Sequence, residues 1–84
     1  MEKKNIVGER VKLARKAVKP PITQNDLVAR LQIQNMTIDQ SGLSKLENGQ
    51  RPVLDIEVLG LAKALNVPIN WLMGEGKDRP DNTA

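Results

Sequence analysis

The sequence contains no cysteine and no histidine, and its aromatic side chains are limited to one Trp among 84 residues. Without Cys and His, disulfides and the usual zinc sites are excluded. No convergent carboxylate pair and no Gly-rich phosphate loop supplies an acid–base set in their place. The sequence therefore predicts a protein that is not an enzyme, with no metal, no cofactor and no small-molecule ligand implied.

Long apolar runs are also missing. No stretch approaches the roughly 20 residues of a membrane span, and the N-terminal MEKKNIVGER has no apolar centre of a signal peptide. The hydrophobic content of 39% is almost entirely aliphatic and is sufficient for a folded core. Because the lack of Cys also fits a reducing compartment, we expect one small cytoplasmic domain without a membrane partner.

Positive charge is concentrated near the N-terminus. The net charge is +3, and residues 1–19 contain seven Lys or Arg against two Glu. Such a cluster is either the solvated face of a helix or an electrostatic footprint for phosphate groups. Charge alone leaves both interpretations open.

Three segments predict helix starts, because each places a capping Thr or Asp after an apolar residue and four positions before a Leu. The side-chain oxygen of the cap accepts from free N–H groups of the first turn. The flanking apolar residues then occupy the two positions of a hydrophobic staple. The segments are Ile22-Thr23 to Leu27, Ile38-Asp39 to Leu43 and Leu54-Asp55 to Leu59. They predict helices near 24–35, 40–48 and 56–65.

Two further helices flank these three. Near 5–18, Val7, Val11, Ala14 and Val18 follow helical spacing, with Ile6 and Ala17 widening the apolar stripe, until Pro20-Pro21 stops the helix. Near 69–73, Pro68 opens a short helix and Gly74 closes it. No segment shows the sustained alternation of a strand. The sequence thus predicts an all-α protein of five helices in residues 1–74, followed by a flexible tail at 75–84.

The segment near 40–48 combines an apolar side with an unusually polar one. Leu43 and Leu46 face one side with Ile38 before them, whereas the opposite side carries short hydrogen-bonding groups and a Lys. That polar side is either an ordinary solvated face or a surface for base edges in a major groove. Thr37 with Gln40 forms a competing capping box, but Asp39 is favoured because the matching staple would not be apolar.

Three stretches together resemble the helix-turn-helix domains of the phage repressor and Cro type, also called the XRE family. They are TQNDLVARL, DQSGLSKLENGQRP and LGLAKALNVPINWLMG, and the resemblance covers roughly residues 6–74. Each stretch is a weak signal alone, but their order and spacing together are specific. The resemblance implies a compact five-helix bundle of the lambda repressor-like helix-turn-helix type, in which the third helix is the recognition helix.

The resemblance also implies roles for individual residues. Gln24 matches a position that binds backbone phosphate and supports the first side chain of the recognition helix. Positions that face base edges, or a phosphate in the case of Lys, are matched by Gln40, Ser41, Ser44 and Lys45. Positions in a loop that contacts phosphates are matched by Asn48, Gln50 and Arg51. For Asn48 and its neighbour Gly49, termination of the helix is the competing role.

Two other features are expected to be architectural. Arg15 and Glu47 match an Arg–Glu pair that joins the first and third helices in the family. Trp71 is expected in the core together with Ile69, Leu72 and Met73. The alternative for this second set is an exposed edge that joins a homodimer interface.

The sequence departs from the family pattern at three places. The connection QIQNMTI between Leu31 and Asp39 has seven residues, longer than is common in the family by about one helical turn. The second helix is therefore expected to continue to about Asn35. Val28 replaces a small residue where the second and third helices cross, and Gly42 inside the recognition helix costs about 1 kcal/mol relative to Ala. These departures affect individual base contacts more than the class.

The resemblance implies a sequence-specific transcriptional regulator, encoded by a bacterium or a phage, that binds double-stranded DNA in the bacterial nucleoid. We expect a repressor that acts as a homodimer on a near-palindromic site, with its third helix in the major groove. A rival from another class is an antitoxin-like or bridging protein-interaction module on the same fold. Salt-dependent binding to duplex DNA distinguishes the two.

Overall fold

A computed structural model describes residues 2–76 of the chain. Five helices form in this part, in the order α1 Gly8–Ala17, α2 Gln24–Ile33, α3 Gln40–Glu47, α4 Asp55–Leu65 and α5 Ile69–Leu72. The all-α prediction of five helices is confirmed for these residues, which contain no strand. No helix among them is long and apolar enough to cross a membrane. From residue 77 onward, the tail predicted at 75–84 lies outside the described residues.

The starts of α2 and α3 follow the predicted caps. Thr23 Oγ1 accepts from the backbone N–H of Asp26 at 3.0 Å, and the Asp26 carboxylate accepts from the Thr23 N–H at 3.3 Å. Asp39 Oδ1 accepts from the Gly42 N–H at 2.7 Å, so Asp39 and not Thr37 caps α3. Each cap satisfies a first-turn donor that has no partner within its own helix. The staple residues of both helices are buried: Ile22, Leu27, Ile38 and Leu43.

The predicted start of α4 is wrong by one residue, and so is its predicted cap. The helix begins at Asp55, and the Asp55 side chain accepts only from the adjacent Ile56 N–H, at 2.7 Å. Glu57 reaches back instead and accepts from the Leu54 N–H at 2.9 Å. Leu54 and Leu59, predicted as a staple, are 62% and 41% exposed. The side-chain bond at the start of α4 therefore comes from Glu57 and not from the predicted cap, Asp55.

The predicted start of α1 at Asn5 is also wrong, because Asn5 acts from outside the helix. Its side-chain oxygen accepts from the N–H groups of Val7 and Gly8, at 3.1 and 2.8 Å, and the helix begins at Gly8. Of the predicted stripe, Val7, Val11 and Ala14 are buried and Val18 packs partly against the core. Ile6 and Ala17 are exposed and do not widen it.

Helix α2 ends at Ile33 and does not reach Asn35. Asn35 has a left-handed φ of 62°, and the Met36 N–H donates to the Leu31 carbonyl at 2.9 Å, which together form a Schellman motif. Met36 and Ile38 are 7% and 8% exposed. The long connection is thus a turn pinned into the core and not an extra turn of helix.

Helix α3 ends at Glu47, one residue before the predicted Asn48. The expected glycine, Gly49, follows the C-cap Asn48. Gly49 has φ of 74°, and the Gln50 N–H donates to the Lys45 carbonyl at 2.8 Å. This is the same Schellman arrangement, with Gly where a side chain would be strained. The chain reverses sharply here, so residues 48–51 lie directly beside the end of α3.

The core is built almost entirely from aliphatic side chains, which come from all five helices and from the segments between them. Its fully buried members include Val11, Leu27, Leu31, Leu43, Leu46, Leu61 and Leu72. Trp71 is 5% exposed, which confirms that it and Leu72 are core residues. Ile69 and Met73 were expected there too, but they are 44% and 42% exposed because α5 is a single short turn with one buried side. Val28 is half-buried and packs against the core.

Helix α1 crosses the end of α3 at backbone contact distance. A Cβ atom on Gly8 would lie 2.1 Å from the Leu46 carbonyl oxygen and 2.9 Å from that of Glu47. Atoms that are not bonded do not approach so closely, so position 8 accommodates only a glycine without moving a helix. This contact sets the smallest possible distance between α1 and the end of α3.

Candidate nucleic-acid interface

The polar side of α3 points to solvent. Leu43 and Leu46 are fully buried, whereas Gln40, Ser41 and Lys45 are exposed and Ser44 is half-exposed. Gly42 lies between the two sides, and a Cβ there would be 2.9 Å from Asp39 Oδ1 and 3.0 Å from Ile38 Cγ1. The glycine that weakens the helix therefore leaves room for the capping carboxylate and the staple.

Arg15 and Glu47 form a buried ion pair between α1 and α3. Arg15 Nε donates to Glu47 Oε2 at 2.8 Å and Nη2 donates to Oε1 at 2.9 Å. Arg15 Nη1 also donates to the Ile22 carbonyl at 3.0 Å, in the segment that leads into α2. The side chains are 9% and 2% exposed. This planar two-bond geometry is the strongest that an Arg–carboxylate pair adopts, and it ties three elements together.

The two glutamines that the sequence singled out extend this ion pair to the surface. Gln24 Nε2 donates to Glu47 Oε1 at 3.1 Å, and Gln40 Nε2 donates to Gln24 Oε1 at 3.4 Å. A continuous chain of hydrogen bonds thus runs from Arg15 to Gln40. A Gln amide has two donor hydrogens and two acceptor lone pairs, so the single bond to Gln24 leaves Gln40 capacity for an outside partner.

The loop after α3 holds the remaining predicted site residues. Asn48 and Gln50 are exposed, next to the polar side of α3. Arg51 is half-buried, and its guanidinium pairs with Glu57 of α4 at 3.2 Å between Nη2 and Oε2. The structure therefore gives Arg51 an intramolecular partner, which sequence reasoning missed. The available signal was Glu57 in the first turn of α4, shortly after Arg51.

The environment of Glu57 favours its ionised form. Burial raises the pKa of the Glu57 carboxyl, but the hydrogen bond from the Leu54 N–H and the hydrogen bond and positive charge of Arg51 act against it. As a result, the pKa of the Glu57 carboxyl lies below its ordinary value. Glu57 thus remains an anion that serves both as helix cap and as counter-ion of Arg51.

Asn5 is a second site component that the sequence did not reveal. Its side-chain amide donates to the Leu46 carbonyl at 3.1 Å and to the Arg51 carbonyl at 2.8 Å, while its oxygen caps α1. The residue thereby joins the start of α1, the end of α3 and the following loop. Only the enrichment of Asn at helix starts hinted at this role.

These features define a helix-turn-helix protein, with α2 and α3 joined by a turn and the polar side of α3 presented outward. A family model described as helix-turn-helix matches residues 11–72. The chain belongs to this family, in its Cro-type or XRE branch, and is a DNA-binding transcription regulator. Comparison with curated proteins and with solved structures gives no significant match.

Proposed function

We propose that α3 reads base edges in the major groove, beginning with Gln40. The observation that carries this proposal is the bond from Gln40 to Gln24, because it holds an exposed amide at the first helical position by a chain that ends in a buried ion pair. A Gln amide both donates to and accepts from adenine in the major groove. Ser41 and Ser44, on the same polar side of α3, are proposed to contact the adjacent base pairs, and Lys45 a base or a phosphate.

The residues around α3 are proposed to contact the sugar–phosphate backbone. Gln24 lies in the first turn of α2, where free N–H groups and the helix dipole favour an anion. Asn48 and Gln50 offer exposed amide donors just after the end of α3. Arg51 contributes its positive charge, shared with Glu57. Phosphate contacts at both ends of α3 would fix its register in the groove.

We further propose that the protein is a repressor that acts as a homodimer. Two copies related by a two-fold axis place two α3 helices in successive major grooves, about 10 base pairs or a multiple apart. A dimer that occupies such a site blocks other proteins from the same DNA without needing an additional contact. A dimer that is weak in solution and tightened by DNA satisfies this arrangement.

Selection of bound duplexes from a random pool tests this proposal. We expect an enriched near-palindromic sequence, a footprint over two half-sites and two chains bound per duplex at saturation. Enrichment of no sequence would contradict base reading by α3. A footprint over one half-site with one chain per duplex would contradict the homodimer and leave base reading intact.

One observation favours the rival function of a protein-interaction module. Leu54, just before α4, and Ile56 and Leu59 on α4 are exposed and line a groove of about 370 Å³ that also borders Met36 and Lys63. Exposed aliphatic side chains in one region are typical of protein contacts. A protein adaptor would show no preferred duplex and no log-linear dependence of duplex affinity on salt, so the same selection experiment separates the two functions.

A further inference from the structure

The N-terminal segment, residues 2–5, is attached to the loop that follows α3. The Lys4 N–H donates to the Gly49 carbonyl at 2.8 Å. The Asn5 amide donates to the carbonyls of Leu46 and Arg51. Since three hydrogen bonds join the segment to both ends of the reversal after α3, its position relative to α3 is set by the fold.

Lys3 also contacts this loop, and its ammonium has a carboxylate partner. A Cβ on Gly49 would lie 3.1 Å from Lys3 Cγ, so the aliphatic part of Lys3 covers the buried glycine. The Lys3 ammonium pairs with the Glu9 carboxylate, and its hydrogen bond and charge lower the Glu9 pKa. Lys3 thus packs against Gly49 in the loop after α3, and the Glu9 carboxylate is the partner of its charge.

Lys4 and Lys45 line one surface cleft of about 510 Å³. Asn48 and Gln50 contribute amides to the same cleft, and Glu2 is its acidic member. The ion pairs found within residues 2–76 involve Lys3, Arg15 and Arg51, and neither Lys4 nor Lys45 takes part in one. Lys3 also lines this cleft, but its ammonium is paired with Glu9. The ammonium groups of Lys4 and Lys45, set against the one carboxylate of Glu2, leave a net positive charge beside neutral amide donors.

We propose that this cleft binds a phosphodiester group of the DNA duplex, and that Lys4 is a backbone contact outside the helix-turn-helix unit. The inference rests on the proposed function and extends the interface beyond α2, α3 and residues 48–51. A phosphodiester carries a single negative charge and accepts hydrogen bonds, which matches the charge and the donors of the cleft. Because Lys4 is exposed, it loses little hydration on binding and acts chiefly by releasing counter-ions.

Salt titrations of Lys4→Gln test the proposal against a matched control, Lys63→Gln. Lys63 is exposed as well, but it borders the groove near Gln34, at the far end of α2 from Gln24. For Lys4→Gln we expect the slope of log affinity against log salt to fall by about one unit. At 0.1 M salt this corresponds to about eightfold weaker binding, equal for the selected duplex and for an unrelated one. Lys63→Gln should match the wild type.

The charge-preserving variant Lys4→Arg, together with a thermal melt of each variant, separates charge from folding. Lys4→Arg should retain the wild-type slope, and all variants should melt with the wild type. A slope for Lys4→Gln equal to that of Lys63→Gln would overturn the inference and leave the proposed function standing. A wild-type protein with no salt-dependent affinity for any duplex would remove the proposed function, and the inference with it.

Discussion

Two Arg–Glu pairs, one between α1 and α3 and one between the loop after α3 and α4, differ in burial and geometry. Arg15–Glu47 has two bonds of 2.8 and 2.9 Å and side chains 9% and 2% exposed. Arg51–Glu57 has contacts of 3.2 and 3.5 Å and side chains 32% and 16% exposed. The first is buried between α1 and α3, whereas the second is partly exposed to solvent. We infer that burial makes one pair architectural and that exposure leaves the other able to exchange its partner.

The largest expected effect comes from breaking the buried pair. In Glu47→Ala the Arg15 charge remains in the interior without its partner, and Gln24 loses an acceptor, so the free energy of unfolding should fall by about 3–5 kcal/mol. Urea denaturation measures this change.

The matched control for Glu47→Ala is Glu57→Ala, which removes a partly exposed pair and one cap bond and should cost about 1 kcal/mol. The double variant Arg15→Met, Glu47→Leu should recover part of the loss, because no charge is then left buried. Equal losses in the two Ala variants would show that burial does not distinguish the pairs.

A second expected effect concerns the surface end of the buried network. Gln40→Ala removes the amide that the network holds, so the selected duplex should lose about 1–3 kcal/mol of discrimination at one symmetric pair of base positions. Affinity for unrelated duplexes and the melting temperature should stay unchanged. Competition binding with every single-base variant of the site measures this. If the variant ranks all of them as the wild type does, Gln40 reads no base, and Ser41 and Ser44 become the candidates.

The third prediction tests whether the exposed pair exchanges partners. Arg51→Ala should reduce the slope of log affinity against log salt by about one unit, and it should weaken selected and unrelated duplexes by similar factors. Glu57→Gln supplies the comparison, since it frees Arg51 and should bind DNA at least as tightly as the wild type. An unchanged slope in Arg51→Ala would make this pair as architectural as the buried one.

The smallest expected effect is the pH dependence of the exposed pair. Because the pKa of Glu57 is lowered in the folded protein, the unfolded chain binds more protons in the acid range. The stability from ionised Glu57 is complete above the unfolded pKa of roughly 4.3 and is lost as pH falls through the folded pKa. Denaturation measured across this range should show a shallower decline for Glu57→Gln. Parallel curves would remove Glu57 as a contributor to acid sensitivity.

The contrast between local and distant bonds also decides what the sequence could predict. The caps Thr23 and Asp39 were predicted because their partners lie three residues away in the chain. The Asp55 cap was wrong because α4 starts at Asp55 itself and the Leu54 N–H donates to Glu57. The ion pair of Glu57 with Arg51 is a contact that spacing alone did not reveal. The prediction of an all-α protein with five helices needed only apolar periodicity, caps and helix-stopping residues, whereas the helix-turn-helix type was implied by the resemblance.

The site was predicted less completely, because its connections span long stretches of sequence. The resemblance singled out Gln24, Gln40 and Glu47, yet the bond that links Gln24 to Glu47 depends on how α2 and α3 pack. The bridges from Asn5 to Leu46 and Arg51 join positions more than 40 residues apart and carry no local pattern. The contacts of all these residues with DNA stay predictions.

The close approach of Gly8 to the Leu46 carbonyl has a mechanical consequence. Repulsion between touching backbones rises so steeply that α3 cannot tilt further toward α1, and a tilt away is opposed by the Arg15–Glu47 pair and not by this contact. The contact therefore acts as a one-sided stop at the end of α3. If α3 enters the major groove as proposed, a duplex whose groove does not match this limit would have to bend or twist to meet α3, and the energy of that deformation depends on its sequence. The protein would thus favour flexible steps even at base pairs that no side chain touches.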